Sequence, residues 1–144
     1  MTPRRLDPET IVTRLRAMRQ LLDQLDRLRN DGAPDDFGRR LQIERILSAL
    51  VDLAVAIDTH VVVVRLAASP HDMTTSFRLA GDAGLLDSDL AAALAPSVGM
   101  RNVIVHAYVD LNVDRMLAAM PLAADQYARY VEQVARWLRV QPEV

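Results

Sequence analysis

ILSALVDLAVAIDTHVVVVRLAA, residues Ile46 to Ala68, admits two readings that lead to different folds. The four valines Val61 to Val64 read alone as a strand, because β-branched side chains suit a pleated surface. Their flanks keep helical spacing, so the stretch is read as helix. It is apolar on nearly every side, with Asp52, Asp58, His60 and Arg65 as exceptions. A helix of this kind must be enclosed on more than one side, by its own domain or by a partner subunit. Upstream, Arg39, Arg40, Glu44 and Arg45 mark a partly solvated first half. The whole helix is expected from just after Asp35 or Asp36 to about Ala68.

The neighbouring segments are helical too. Asp7 is placed as an N-cap with Pro8 at the first helical position. Ile11, Leu15, Met18, Leu22 and Leu25 then recur at spacings of three and four, the pattern of one buried stripe. Gly32 and Pro34 end that helix. After the break at "SPHDM" a short helix is expected over Thr74 to Asp82, and a new N-cap at Asp87 or Ser88. "LAAALAPSVGMRNVIVHAYV" continues as helix, with Pro96 bending it or dividing it in two. Asn112 is placed to cap a last helix carrying Tyr127, Val131, Val134 and Leu138, with Pro121 interrupting its start. The expected fold is a single all-α domain over residues 1–144, an up-and-down bundle of four or five main helices.

With 144 residues the chain is long enough to bury a real core. It has no cysteine, which excludes disulfide scaffolds, thiolate metal sites and cysteine nucleophiles. "MTPRRLDPET" is followed by no signal-like apolar region, and no charge-free apolar run reaches the roughly 18 residues of a membrane span. A cytoplasmic location without membrane attachment is the expectation. All 17 basic residues are arginine in a chain of net charge −2. A GC-rich coding background accounts for this, while guanidinium forks also suit phosphate. Net negative charge argues against a broad nucleic-acid surface, so RNA contact is expected only at a local cleft.

Chemistry concentrates in "MRNVIVHAYVDL", Met100 to Leu111. Helical residues step by about 100°, so Asn102 and His106 share one face while Arg101 and Tyr108 lie almost in line on a neighbouring one. Arg101 and His106, about 140° apart, flank a common surface. Val103, Ile104, Val105 and Ala107 are expected to hold the segment in the core. His60, His71 and His106 are scattered, and no paired carboxylates or phosphate loops accompany them, so no metal and no cofactor is expected. One histidine and one arginine fit metal-independent RNA cleavage. There the ribose 2′-OH attacks the adjacent phosphorus, imidazole moves protons and guanidinium offsets the phosphorane charge. A satisfied histidine and a salt-bridged arginine fit the same spacing, which therefore permits a nuclease without selecting one.

"RNVIVHAY", Arg101 to Tyr108, resembles in full the Arg–x4–His–x–Tyr signature of the HepT-like toxins of the HEPN superfamily. "DLAVAIDTHVVV" is similar to their long second helix, and the resemblance extends over roughly residues 40–140. It implies a HEPN-type all-α homodimer whose signature helices meet in a cleft, a metal-independent ribonuclease of a type VII toxin–antitoxin pair. By position, Arg101 and His106 would be catalytic and Asn102 supporting. Tyr108 would be the tyrosine to which an MntA-like nucleotidyltransferase antitoxin attaches AMP. The alternative is a non-catalytic HEPN accessory or substrate-binding subunit of a nucleotidyltransferase. His60 is expected either at the dimer seam or as a buried, hydrogen-bonded residue. Asp52 and Asp58 would pair with a partner's arginine or form internal salt bridges. Arg14, Arg16 and Arg19 would guide RNA or form a solvated face.

Overall fold

The computed structural model describes residues 4–31, 36–106 and 112–144. Six helical segments follow in order: α1 (Pro8–Asn30), α2 (Phe37–Leu66), α3 (Met73–Asp82), α4 (Ser88–Leu94), α5 (Ser97–His106) and α6 (Val113–Arg139). The all-α bundle expected from the sequence is what forms, with five main helices and the short, seven-residue α4 among the described residues.

Local chemistry sets the ends. Asp7, Asp36, Asp72, Asp87 and Asn112 each accept a hydrogen bond from the backbone N–H three residues on. Such caps satisfy donors that a helix leaves unpaired. Asp72 was hidden in "SPHDM", whose proline and histidine read as a simple break. Pro96 divides its helix: Ala95 and Pro96 form a turn between α4 and α5, since proline has no N–H for the helical ladder. Pro121 behaves differently, and the expected interruption does not occur. Helix α6 runs straight through it. Pro121 lies on the exposed side, where water can meet the carbonyl whose partner is lost.

The reading of Ile46 to Ala68 is settled by what surrounds it. Every residue from Ile46 to Val51 is buried, including Ser48, whose hydroxyl donates to the Arg45 carbonyl. Helices α1, α3, α5 and α6 all pack against α2, so its own bundle encloses it. By length and composition α2 is apolar enough to cross a membrane, but 61% of that apolar window is buried inside the bundle. The helix closes at Ala67, which sits in the left-handed region at φ 53°, a conformation more readily adopted by glycine.

Helix α1 contributes the predicted stripe, with Ile11, Met18 and Leu25 fully buried. It packs against both α2 and α6. Helices α3 and α4 meet at Gly81, where a Cβ would lie 3.2 Å from that of Ala91. Two tyrosines of α6 fill the centre, Tyr127 and Tyr130, with ring centroids 6.2 Å apart. The Tyr130 hydroxyl lies 2.7 Å from Asp58 Oδ1 and 3.0 Å from the Ala54 carbonyl. Asp58 is fully buried, and loss of solvation pushes its carboxyl well above the usual range, against the opposing hydrogen bonds of Tyr130 and Ser76.

Candidate active site on helix α5

Helix α5 is anchored at its start and uncovered at its end. Ser97, its first residue, donates to the Leu94 carbonyl at 2.6 Å. Its single hydrogen is thus engaged, and the Tyr127 hydroxyl, 2.6 Å away, donates to Ser97 Oγ. Val98 is buried beneath. One turn on, the half-buried Arg101 donates from Nε to Asp52 Oδ1 of α2 at 2.9 Å. Its Nη1 reaches Asn102 Oδ1 at 3.3 Å. Among the described residues Nη2 has no hydrogen-bond partner, so the guanidinium is held by one edge with donors left over for an anion.

Beyond Arg101 the helix becomes more exposed. Asn102 and His106 are exposed. Val103 is 48% exposed, and Ile104 and Val105 are only half-buried. This corrects the expectation that the apolar residues between the polar ones would hold the segment in the core. The core is already filled by α2 and α6, and α5 touches it through the buried Val98 and the half-buried Met100 and Ile104. A hollow of about 700 Å³, lined chiefly by apolar atoms of Pro96, Gly99, Met100, Val103 and Met116 together with Asn112 and Arg115, lies along this uncovered side. Ala107 and Tyr108 lie outside the described residues, and so does the expected alignment of Tyr108 with Arg101.

The remaining candidates separate cleanly. Asp52 forms an internal salt bridge, one of the two alternatives left open by sequence. Asp58 meets hydroxyls and no arginine among the described residues. His60 is half-buried, and its Nε2 accepts the backbone N–H of Asp7 at 2.9 Å, tying the start of α1 to α2. Burial lowers its pKa, and so do Arg14 and Arg4, against the pull of Asp7. An acceptor nitrogen must be unprotonated, so this tie and the neutral ring favour each other. His71 is a surface residue beside Asp72 and Thr75. Arg16 and Arg19 lie exposed on α1. The pairing of Asp52 with Arg101 joins residues 49 apart in sequence, and no local spacing announces it.

The arrangement is one cation fixed by a carboxylate, a carboxamide beside it, and an exposed imidazole on the same rigid helix. It can bind a phosphate and exchange protons with a neighbouring oxygen. Comparisons with known proteins place the chain in a family. The chain is 30% identical over 136 residues to the tRNA nuclease HepT of Aphanizomenon flos-aquae, covering 92% of each chain. It is 21% identical over 132 residues to the mRNA nuclease HepT of Shewanella oneidensis, covering 88% and 96%. Its fold matches the tri-AMPylated Shewanella oneidensis HEPN toxin seen in complex with MNT antitoxin, with a TM-score of 0.80 at 19% identity over 88% and 97% of the chains. It also matches YutE, a cytosolic protein of unknown function from Bacillus subtilis, with a TM-score of 0.82 at 11% identity over 96% and 95%. The family model described as ribonuclease HepT-like matches residues 13–134. This chain belongs to the ribonuclease HepT-like family of RNA nucleases.

Proposed function

We propose that this protein is the toxin of an MntA–HepT-type pair, a metal-independent endoribonuclease acting in the cytoplasm through Arg101 and His106. The observation that carries the reading is the mounting of that pair. Arg101 is pinned by Asp52 at the protomer surface, and His106 stands exposed one and a half turns further along α5. In the proposed reaction the ribose 2′ oxygen attacks the adjacent phosphorus and gives its proton to an imidazole. The bond to the 5′ oxygen breaks, that oxygen takes up a proton, and a 2′,3′-cyclic phosphate remains. Charge on the phosphorane-like state falls to Arg101, with Asn102 holding the guanidinium beside it.

One imidazole fills one proton role at a time, so a two-fold homodimer bringing two α5 helices to one cleft supplies both base and acid. Support comes from the apolar side of α5, where Val103 is exposed and Met100 and Ile104 are only partly covered within the protomer. Silencing is assigned to an MntA-like nucleotidyltransferase that transfers AMP from ATP to the Tyr108 oxygen, releasing pyrophosphate. The related Shewanella oneidensis toxin carries AMP and binds such an antitoxin. A phosphodiester attached two residues past His106 would compete with RNA phosphate for Arg101 by charge and by bulk.

The test is His106→Ala. RNA cleavage should fall by about 100-fold or more and growth inhibition should vanish, with thermal unfolding unchanged, while EDTA leaves the wild type active. A fully active His106→Ala protein would remove the mechanism. Mass spectrometry after co-expression with the nucleotidyltransferase should show AMP on the wild type and none on Tyr108→Phe. Equal neutralisation of both without an adduct would assign silencing to direct binding.

A further inference from the structure

A second feature begins where the Arg101 anchor ends. Two adjoining hollows of about 430 Å³ and about 360 Å³ run along the seam of α1 and α2, and Arg45 lines both. The first reaches Gln20 and Asp52, and the second holds Gln24 and Gln42. Arg45 and Asp52 are seven residues apart on α2, hence nearly in line and about 10 Å apart along the axis. The groove therefore leads from Arg45 to the carboxylate that holds Arg101. Its charges are informative. Among the described residues Asp52 is the only acidic one of the lining, and its charge is engaged by Arg101. Arg45 is exposed and, like Arg16 and Arg19, has no carboxylate partner among the described residues, but it is the arginine that lines both hollows. The remaining polar groups are carboxamides, and Gln24 donates to Gln42 across the seam at 3.3 Å.

We propose that this α1–α2 groove seats the single-stranded RNA flanking the cleaved bond, with Arg45 on a backbone phosphate and Gln20, Gln24 and Gln42 on sugar or base edges. The inference rests on the RNA-cleaving reading of α5. Continuity argues for this occupant: a strand with one phosphate at Arg101 carries further phosphates along the same line. An unpaired guanidinium answers a phosphate, and uncharged carboxamides can both donate to and accept from sugar and base. The groove also shows how a chain of net charge −2 engages RNA: a local cation stands in for a broad basic surface.

The test separates binding from cleavage. In the catalytically silent His106→Ala protein, affinity for a fluorescein-labelled, mixed-sequence single-stranded RNA is measured by anisotropy across a salt series. Arg45→Ala should weaken binding about three- to tenfold and reduce the salt slope by about 0.7, the share of one phosphate contact on a single strand. Arg45→Lys should retain the slope, and Arg139→Ala, at the far end of α6, should change neither quantity. Unchanged affinity and slope in Arg45→Ala would overturn the proposal, and so would equal losses in Arg139→Ala or no RNA binding by the silent protein. The two readings fail separately. His106-dependent cleavage with a slope indifferent to Arg45 removes the groove alone. An Arg45-dependent slope in a protein whose wild type cleaves no RNA removes the cleavage reading and leaves the groove.

Discussion

Helices α2 and α5 are equally apolar on average, yet the bundle treats them in opposite ways. Along α2 the apolar residues from Ile43 to Val62 pack largely under four neighbouring helices, while Asp52 is paired with Arg101 and the buried Asp58 is hydrogen-bonded to Tyr130. Along α5 only Val98 is fully buried, and beside Arg101 and His106 Val103 is exposed while Ile104 and Val105 are half-buried. Hydrophobicity alone does not distinguish a core element from a peripheral one. Position in the packing does: α2 is central, whereas α5 is peripheral and packs on the bundle along one side only.

The contrast can be broken most forcefully in α2. Leu50 is 0% exposed, and Leu50→Ala should cost about 2–5 kcal/mol of folding free energy through lost burial and a residual cavity. Urea unfolding checks this, and a loss below about 1 kcal/mol would mean that α2 is less tightly enclosed than its packing indicates.

Next in size is the joint between the two helices. Asp52→Asn removes the charge that holds Arg101 while keeping the side chain's shape. We expect kcat for RNA cleavage to fall at least about tenfold from mispositioning of the guanidinium. Folding stability should move by no more than about 1 kcal/mol, since the pair is partly solvated. Asp52→Glu should restore part of the rate. Full activity in Asp52→Asn would show that Arg101 needs no anchor.

A smaller effect tests the polar interior of α2. Folding raises the Asp58 pKa, so the folded chain keeps a proton that the unfolded chain releases. Its contribution is complete below about pH 4, the ordinary value of an unfolded aspartate, and is lost as pH climbs from there toward the raised value. The urea midpoint of the wild type should therefore decline across that window relative to Asp58→Asn, which carries no titrating group. Parallel profiles would mean that Asp58 is charged in the fold.

The smallest expected change in folding lies on α5. Val103→Asp, at a site 48% exposed, should alter the unfolding free energy of the monomer by no more than about 0.5 kcal/mol. The same substitution should convert the proposed homodimer to monomer in light scattering and reduce RNA cleavage with it. A dimer unaffected by Val103→Asp would move the proposed seam off α5.

Much of this molecule is local in origin and could be read directly. The caps at Asp7, Asp36, Asp87 and Asn112, the stripe of α1 and the extent of α2 follow from short-range hydrogen bonding and from 3.6-residue periodicity. The Arg101–Asn102–His106 constellation was visible for the same reason, since one helix determines its internal angles. Pro121 shows where local reasoning stops: whether proline breaks a helix depends on which side faces water. Burial of α5 was misjudged because an apolar segment does not state what covers it. Sequence alone could not choose between a partner's arginine and Arg101 for Asp52, nor bring Tyr130 to Asp58 or Arg45 into line with the candidate site. Those choices join residues on different helices, and only the packing of whole helices around α2 decides which of them meet.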